Sequence, residues 1–303
     1  EISTRYLEQL YHIIKEDSRD STLDPRISKL MSGIDEDLKS EKYEHLWKGH
    51  MKEMYEAAGI NKIVDFEDFY ESQKSEAEAL KGETPFWDQG DIAHSSLYSA
   101  CVEIRNDLQS QGIMFEHPPV FGVLPTGHIN GMVIAVPSSC CPLLVLESGL
   151  MTFISVLSKC LAYCFPIVDR AGRSALSIRN DEWRSHLANN SWISEQFGTF
   201  LSEILEHGSP ISESIKGTKF TDPARNIHVG YILISSCYFV VGHEYGHLIK
   251  DHLNMDRLAQ GSVRGTKVNE ILLNWEQEHE ADAVGVLLAL HRAEARRIDP
   301  SFV

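Results

Sequence analysis

Five residues constrain this chain more than any others: His243-Glu244-Tyr245-Gly246-His247, an HExxH string at the far end of an apolar run. On a helix, residues four apart lie about 40° apart around the axis, so both imidazoles project from one face and can reach one metal ion. Glu244 then falls beside a metal-held water rather than on the metal, which is where hydrolysis needs a general base. The run that leads into the string, NIHVGYILISSCYFVV over 226–241, is apolar apart from small polar residues, and Thr221-Asp222-Pro223 supplies an N-cap followed by proline. A buried helix is predicted over 226–251. Polar groups at the end of such a helix need partners or a metal.

A catalytic zinc site takes three protein ligands and keeps one position open. The stretch 266–297 reads as a single long helix that starts near Thr266, with apolar residues at Val268, Ile271, Leu272 and Trp275 and again at Ala283, Val286, Leu287 and Leu290. Between these patches Glu278 and Asp282 stand four apart on one face, and Ala281 is small enough to let two helices approach. One of the two carboxylates can bind the metal while the other accepts a hydrogen bond from a ligand histidine. Glu276 and Glu280 read as a solvated face. His252, five residues after His247, is expected to point away from the ligand face, and His279 lies on another face again.

HExxH followed by Glu278-His279-Glu280-Ala281-Asp282, a Glu-x-x-Ala-Asp string, resembles the gluzincin metallopeptidases. Two branches are similar: the zinc peptidases related to the CaaX prenyl proteases, and the ImmA and IrrE type. Thirty residues separate His247 from Glu278, shorter than the interval usual in the first branch. The resemblance implies zinc as cofactor, held by His243, His247 and Glu278, with Glu244 as base and Asp282 supporting a ligand histidine. It also implies a zincin-like core with a small sheet beside the HExxH helix.

The rest of the chain is expected to frame that core. Residues 1–112 are charged and helix-rich: Leu7, Leu10, Tyr11 and Ile14 form a stripe, 38–58 forms another, and 65–80 and 94–111 read as two more helices. The aromatic loop 82–90 breaks the helices and reads as a plug on the core in preference to a subdomain edge. From Pro118 the texture changes. VFGVL over 120–124 and MVIAV over 132–136 read as a hairpin whose edge could take an extended peptide. The run 143–165 reads as a buried helix, since Glu147, Lys159 and several serines interrupt it too often for a membrane span. Residues 169–217 form a helical insertion, read either as a lid or as further core. The expected fold is α+β and predominantly helical, with a helical region over 1–112 and a metallopeptidase domain over 113–303.

A formal net charge of −16 argues against nucleic acid or an anionic membrane surface as the main partner. The six cysteines form no Cys-x-x-Cys pair and lie mostly in apolar stretches, so reduced thiols and a cytoplasmic setting are expected. No basic segment followed by an apolar core marks a secretory signal. The expected activity is a zinc-dependent endopeptidase acting on a protein or peptide, with a regulatory or toxin-like protein of one specific partner as the alternative. For the oxyanion donor the sequence offers His207, His228, Tyr231 or a C-terminal arginine without deciding among them.

Overall fold

The computed structural model describes residues 2–10, 65–68, 92–124, 128–136, 138–170, 173–207, 223–253, 258–263, 266–271 and 275–295, together with 48, 52 and 71. The predicted helix over 38–58, most of that over 65–80 and the aromatic loop 82–90 lie outside the described residues. Over those described, the fold is predominantly helical with a small mixed sheet, an α+β architecture. The chain divides into two compact units. One comprises 1–17, 93–152 and 234–303; the other comprises 18–92 and 153–233.

The first unit is built on a three-stranded sheet of β1 (Val120–Leu124), β2 (Gly131–Ile134) and β3 (Leu143–Glu147), in the order β1-β3-β2. The predicted hairpin of β1 with β2 does not form. The central place belongs to β3, parallel to β1 and antiparallel to β2. Its sequence explains why: Leu143 to Leu146 are fully buried, and an unbroken apolar run suits a strand covered on both faces. The expected helix over 143–165 is therefore shorter, because its first five residues are β3 and α3 runs over Ser148–Cys164.

Helix α1 (2–10) buries Ser3, Leu7 and Leu10, and Leu7 fills the space that the missing side chain of Gly122 leaves on β1. Helix α2 (Ile92–Ser110) buries Leu97, Cys101, Ile104 and Leu108 at helical spacing. The HExxH run forms α6 (Pro223–Ile249), which opens on the proline as predicted, and α7 spans Trp275–Ala295. Arg292 of α7 forks onto the Glu103 carbonyl and the Asp107 carboxylate of α2, both at 2.6 Å, and Tyr238 of α6 donates to Glu103 at 2.7 Å. Charged groups this buried stabilise only when paired, so this network fixes the three helices together.

The single long helix expected over 266–297 is corrected. Residues Thr266–Ile271 form strand β7, antiparallel to β6 (Leu258–Val263), and helix begins only at Trp275. Branched Thr266, Val268 and Ile271 suit a ladder at least as well as a helix, and a partner strand decides. The expected apolar stripe on α7 also moves. Its buried face is Gln277, Ala281, Gly285, Leu288, Ala289 and Ala293, whereas Val286, Leu287 and Leu290 are exposed.

In the second unit, β4 (Ile167–Arg170) and β5 (Arg173–Leu176) form a hairpin, followed by α4 (Asn180–Asn189) and α5 (Ser191–His207). Val156, Cys160 and Phe200 form its apolar cluster, with Phe153, Leu157, Phe197 and Ile204 packed against them. Arg225 caps the end of α3 by donating to the carbonyls of Ala162 and Phe165 at 2.8 and 2.7 Å. Among the described residues no helix is long and apolar enough to cross a membrane.

Candidate metal centre

The site rests on how closely α6 and α7 approach. A Cβ added to Gly246 would lie 2.8 Å from the Ala281 Cα, and one added to Gly285 would lie 2.9 Å from the Phe239 carbonyl and 3.0 Å from the His243 amide nitrogen. Gly242 faces Gly285 in the same way, at 3.2 Å. The pairing of higher numbers on one helix with lower numbers on the other makes the two antiparallel. The residues responsible recur at four-residue spacing: Gly242 and Gly246 on one helix, Ala281 and Gly285 on the other. Backbone contact of this kind brings the side chains that flank it to short, fixed distances. These flanking residues are His243, His247, Glu278 and Asp282.

The imidazoles of His243 and His247 turn their Nε2 atoms toward each other at 3.1 Å, with the rings nearly perpendicular. Glu278 adds its carboxylate 3.3 Å from the first Nε2 and 3.9 Å from the second. The opposite ring nitrogens are engaged. His243 Nδ1 lies 2.9 Å from Asp282 Oδ1, so it carries the proton and donates. His247 Nδ1 lies 2.9 Å from His252 Nδ1, and His252 Nε2 lies 3.0 Å from Glu280 Oε2.

That second chain fixes a tautomer. A carboxylate only accepts, so the proton of a neutral His252 sits on Nε2 and its Nδ1 is bare. His247 must then donate through Nδ1, which leaves its Nε2 bare as well. The same logic applied to Asp282 leaves a lone pair on His243 Nε2. Two lone pairs and a carboxylate thus converge on one point, an arrangement that repels itself unless a cation lies between them. Burial, then the neighbouring His243 and His252, push His247 down to about 3, so the ring is held neutral, as a ligand must be. His243, His247 and Glu278 therefore form a group able to hold a metal ion.

Glu244 is buried beside this group, and its Oε1 would lie 2.9 Å from a Cβ added to Gly131 of β2. Burial, and secondarily the Glu278 charge, push its carboxyl up to about 8. A cavity of about 440 Å³ opens between residues 129–134 along β2, Leu150 and the ligand face of α6, with Glu278 and Asp282 at its rim. Within the sheet, β2 is an edge strand. Because Glu147 donates to the Asn130 carbonyl at 2.9 Å, the alternation of an antiparallel ladder turns the backbone groups of Gly131 and Val133 away from β3.

His252 and Glu280 correct the expectation that one points away and the other is only solvated. Extrapolating the helix puts position 252 on another face, but the helix ends at Ile249. Asp251 takes a left-handed φ of 54°, the Asp251 amide bonds to the Leu248 carbonyl at 3.2 Å, and the His252 amide bonds to the His247 carbonyl at 2.9 Å. This is a Schellman turn, and it folds His252 back beneath His247. His252 is buried, 4 % exposed. Tyr245, inside the motif, serves packing: it is fully buried, with its hydroxyl 3.5 Å from Cys101 Sγ. Of the residues suggested as oxyanion donor, His207, His228 and Tyr231 belong to the second unit.

No family model matches the chain, and no curated protein or solved structure shows significant similarity to it.

Proposed function

We propose that the chain is a zinc-dependent endopeptidase of gluzincin type, with a zincin-like core formed by α6, α7 and the sheet. One observation carries the reading: the bare Nε2 atoms of His243 and His247 meet the Glu278 carboxylate at a point bordered by buried Glu244. Two imidazoles and one carboxylate match the donor set of catalytic zinc, and Asp282 and His252 hold the rings in the required tautomer. When bound, zinc supplies Lewis-acid polarisation of the scissile carbonyl and a more acidic water.

The remaining chemistry belongs to the chain. In its ionised form, which a cation held beside it would favour, Glu244 stands where it can accept the proton of the attacking water and deliver it to the leaving amine. Its enclosure by Gly131 keeps the carboxylate aimed into the cavity. The outward backbone groups of Gly131 and Val133 offer an extended peptide the hydrogen bonds of an added strand. Leu150, Phe239 and Val240 give the cavity an apolar wall that favours apolar side chains beside the cleaved bond.

The test compares wild type with Glu244→Gln on a mixed peptide library in the presence of zinc. Loss of a general base should lower turnover by about 10²- to 10⁴-fold while zinc binding persists. Cleavage by Glu244→Gln at the wild-type rate would remove the assignment. An alternative in which the fold acts on one specific partner predicts no library cleavage by either protein, together with zinc binding that still depends on Glu278.

A further inference from the structure

A second group of metal-ligating side chains lies outside this centre. His117, Cys140 and Cys141 bring one ring nitrogen and two sulfurs within 4.8 Å of one another, with His117 and Cys140 exposed and Cys141 half-buried. The sheet explains the meeting. Strands β1 and β3 are parallel and start in register, Val120 opposite Leu143. Carried three residues back, that register sets His117 opposite Cys140, so residues far apart in sequence leave the same end of the sheet side by side.

The loop that carries the cysteines is pinned. Ser138 takes a left-handed φ of 63°, and the Ser139 amide bonds to the Val136 carbonyl at 3.1 Å. The Cys141 amide donates to the Ser139 hydroxyl at 3.2 Å, and the Cys141 carbonyl accepts from Ser3 of α1 at 2.6 Å. Ser3 is itself buried. On the other arm, Pro118 and Pro119 restrict the backbone just after His117. Glu116 Oε1 stands 3.8 Å from His117 Nε2 and adds negative charge nearby.

We propose that His117, Cys140 and Cys141 form a second cation site, separate from the HExxH centre, that takes zinc through one imidazole and two thiolates. Two sulfurs and one nitrogen are a borderline-soft donor set that suits zinc and leaves a fourth position for water. Bound there, the ion ties the leading ends of β1 and β3 together and displaces the two thiol protons to solvent. The proposal does not depend on the peptidase reading.

Cobalt(II) separates the two sites, because only sulfur ligands give intense thiolate-to-cobalt absorption in the near ultraviolet. The full chain, kept reduced, is titrated with cobalt(II) and then with zinc. The band should grow to saturation, disappear when zinc displaces cobalt, be absent from the Cys140→Ser/Cys141→Ser double variant, and persist in His243→Ala. Absence of the band from the wild type, or its survival in the double variant, would overturn the site. Thiol labelling of the wild type gives a reading that needs no variant to fold: zinc should protect two thiols from a maleimide, located at Cys140 and Cys141 by peptide mapping. Unchanged labelling of both would also overturn it.

Discussion

Helices α6 and α7 of the first unit meet backbone to backbone through Gly242, Gly246, Ala281 and Gly285, whereas α3 and α5 of the second unit meet through Phe153, Phe197 and Phe200. The aromatic contact buries a large apolar area and asks only that the rings fill the space. The glycine contact lets two backbones approach and brings four polar side chains to 2.9–3.9 Å from their neighbours. A metal centre needs the second kind of packing. The candidate ligands His243, His247 and Glu278 sit on two helices, and a methyl group added at Gly246 or Gly285 would push one helix against the other.

Mutation separates the two kinds of packing, and the largest effect should come from the aromatic side. Phe200→Ala removes a fully buried ring and should cost about 3–5 kcal/mol in denaturant unfolding. Zinc affinity measured under folding conditions should stay as in wild type. Gly246→Ala should cost about 1–3 kcal/mol, since the new methyl meets Ala281 backbone atoms that cannot rotate away. Zinc binding should weaken with it, and a calorimetric titration showing full affinity would separate the helix contact from the site.

Smaller effects fall on the supporting shell. Asp282→Asn, which removes the charge behind His243 Nδ1, and His252→Ala, which removes the acceptor behind His247 Nδ1, should each weaken zinc binding by about 10- to 100-fold. His252→Asn, which restores an acceptor near His247 Nδ1, should recover part of that loss. The smallest change should have the opposite sign. Gly230 lies on α6 with open space where its side chain would be, so Gly230→Ala should stabilise the protein by about 0.5–1 kcal/mol through helix propensity alone. The same substitution on the same helix thus changes sign between positions 230 and 246, and a thermal melt of the two variants checks it.

The grouping of His243, His247 and Glu278 as side chains able to hold a metal was legible in part, because a fixed local period aligns residues four apart. His243 and His247 share a face of any helix, and so do Glu278 and Asp282. The start of α6 was legible at Pro223 for the same local reason. What the local pattern could not supply was decided at a distance. The strand β7 was read as helix because its residues tolerate both states and only its partner β6 selects one. The run 143–146 reads as helix in sequence because four consecutive apolar residues have no period to betray a central strand. His252 was misplaced because the Schellman turn at Asp251 ends the periodicity on which its position had been extrapolated. Part of the signal for the helix contact is legible at Ala281; the glycines at 242, 246 and 285, which with it recur four apart on both helices, complete it.

The claim at the centre of this account is that Glu278 completes a metal site begun by His243 and His247. It is tested most directly by zinc titration calorimetry on the Cys140→Ser/Cys141→Ser background, with and without Glu278→Ala, with circular dichroism confirming that both proteins are folded. One zinc per chain is expected on that background, with a sharp loss of affinity when Glu278 is removed. Zinc binding that is absent from the background protein, or unchanged by Glu278→Ala, would contradict it.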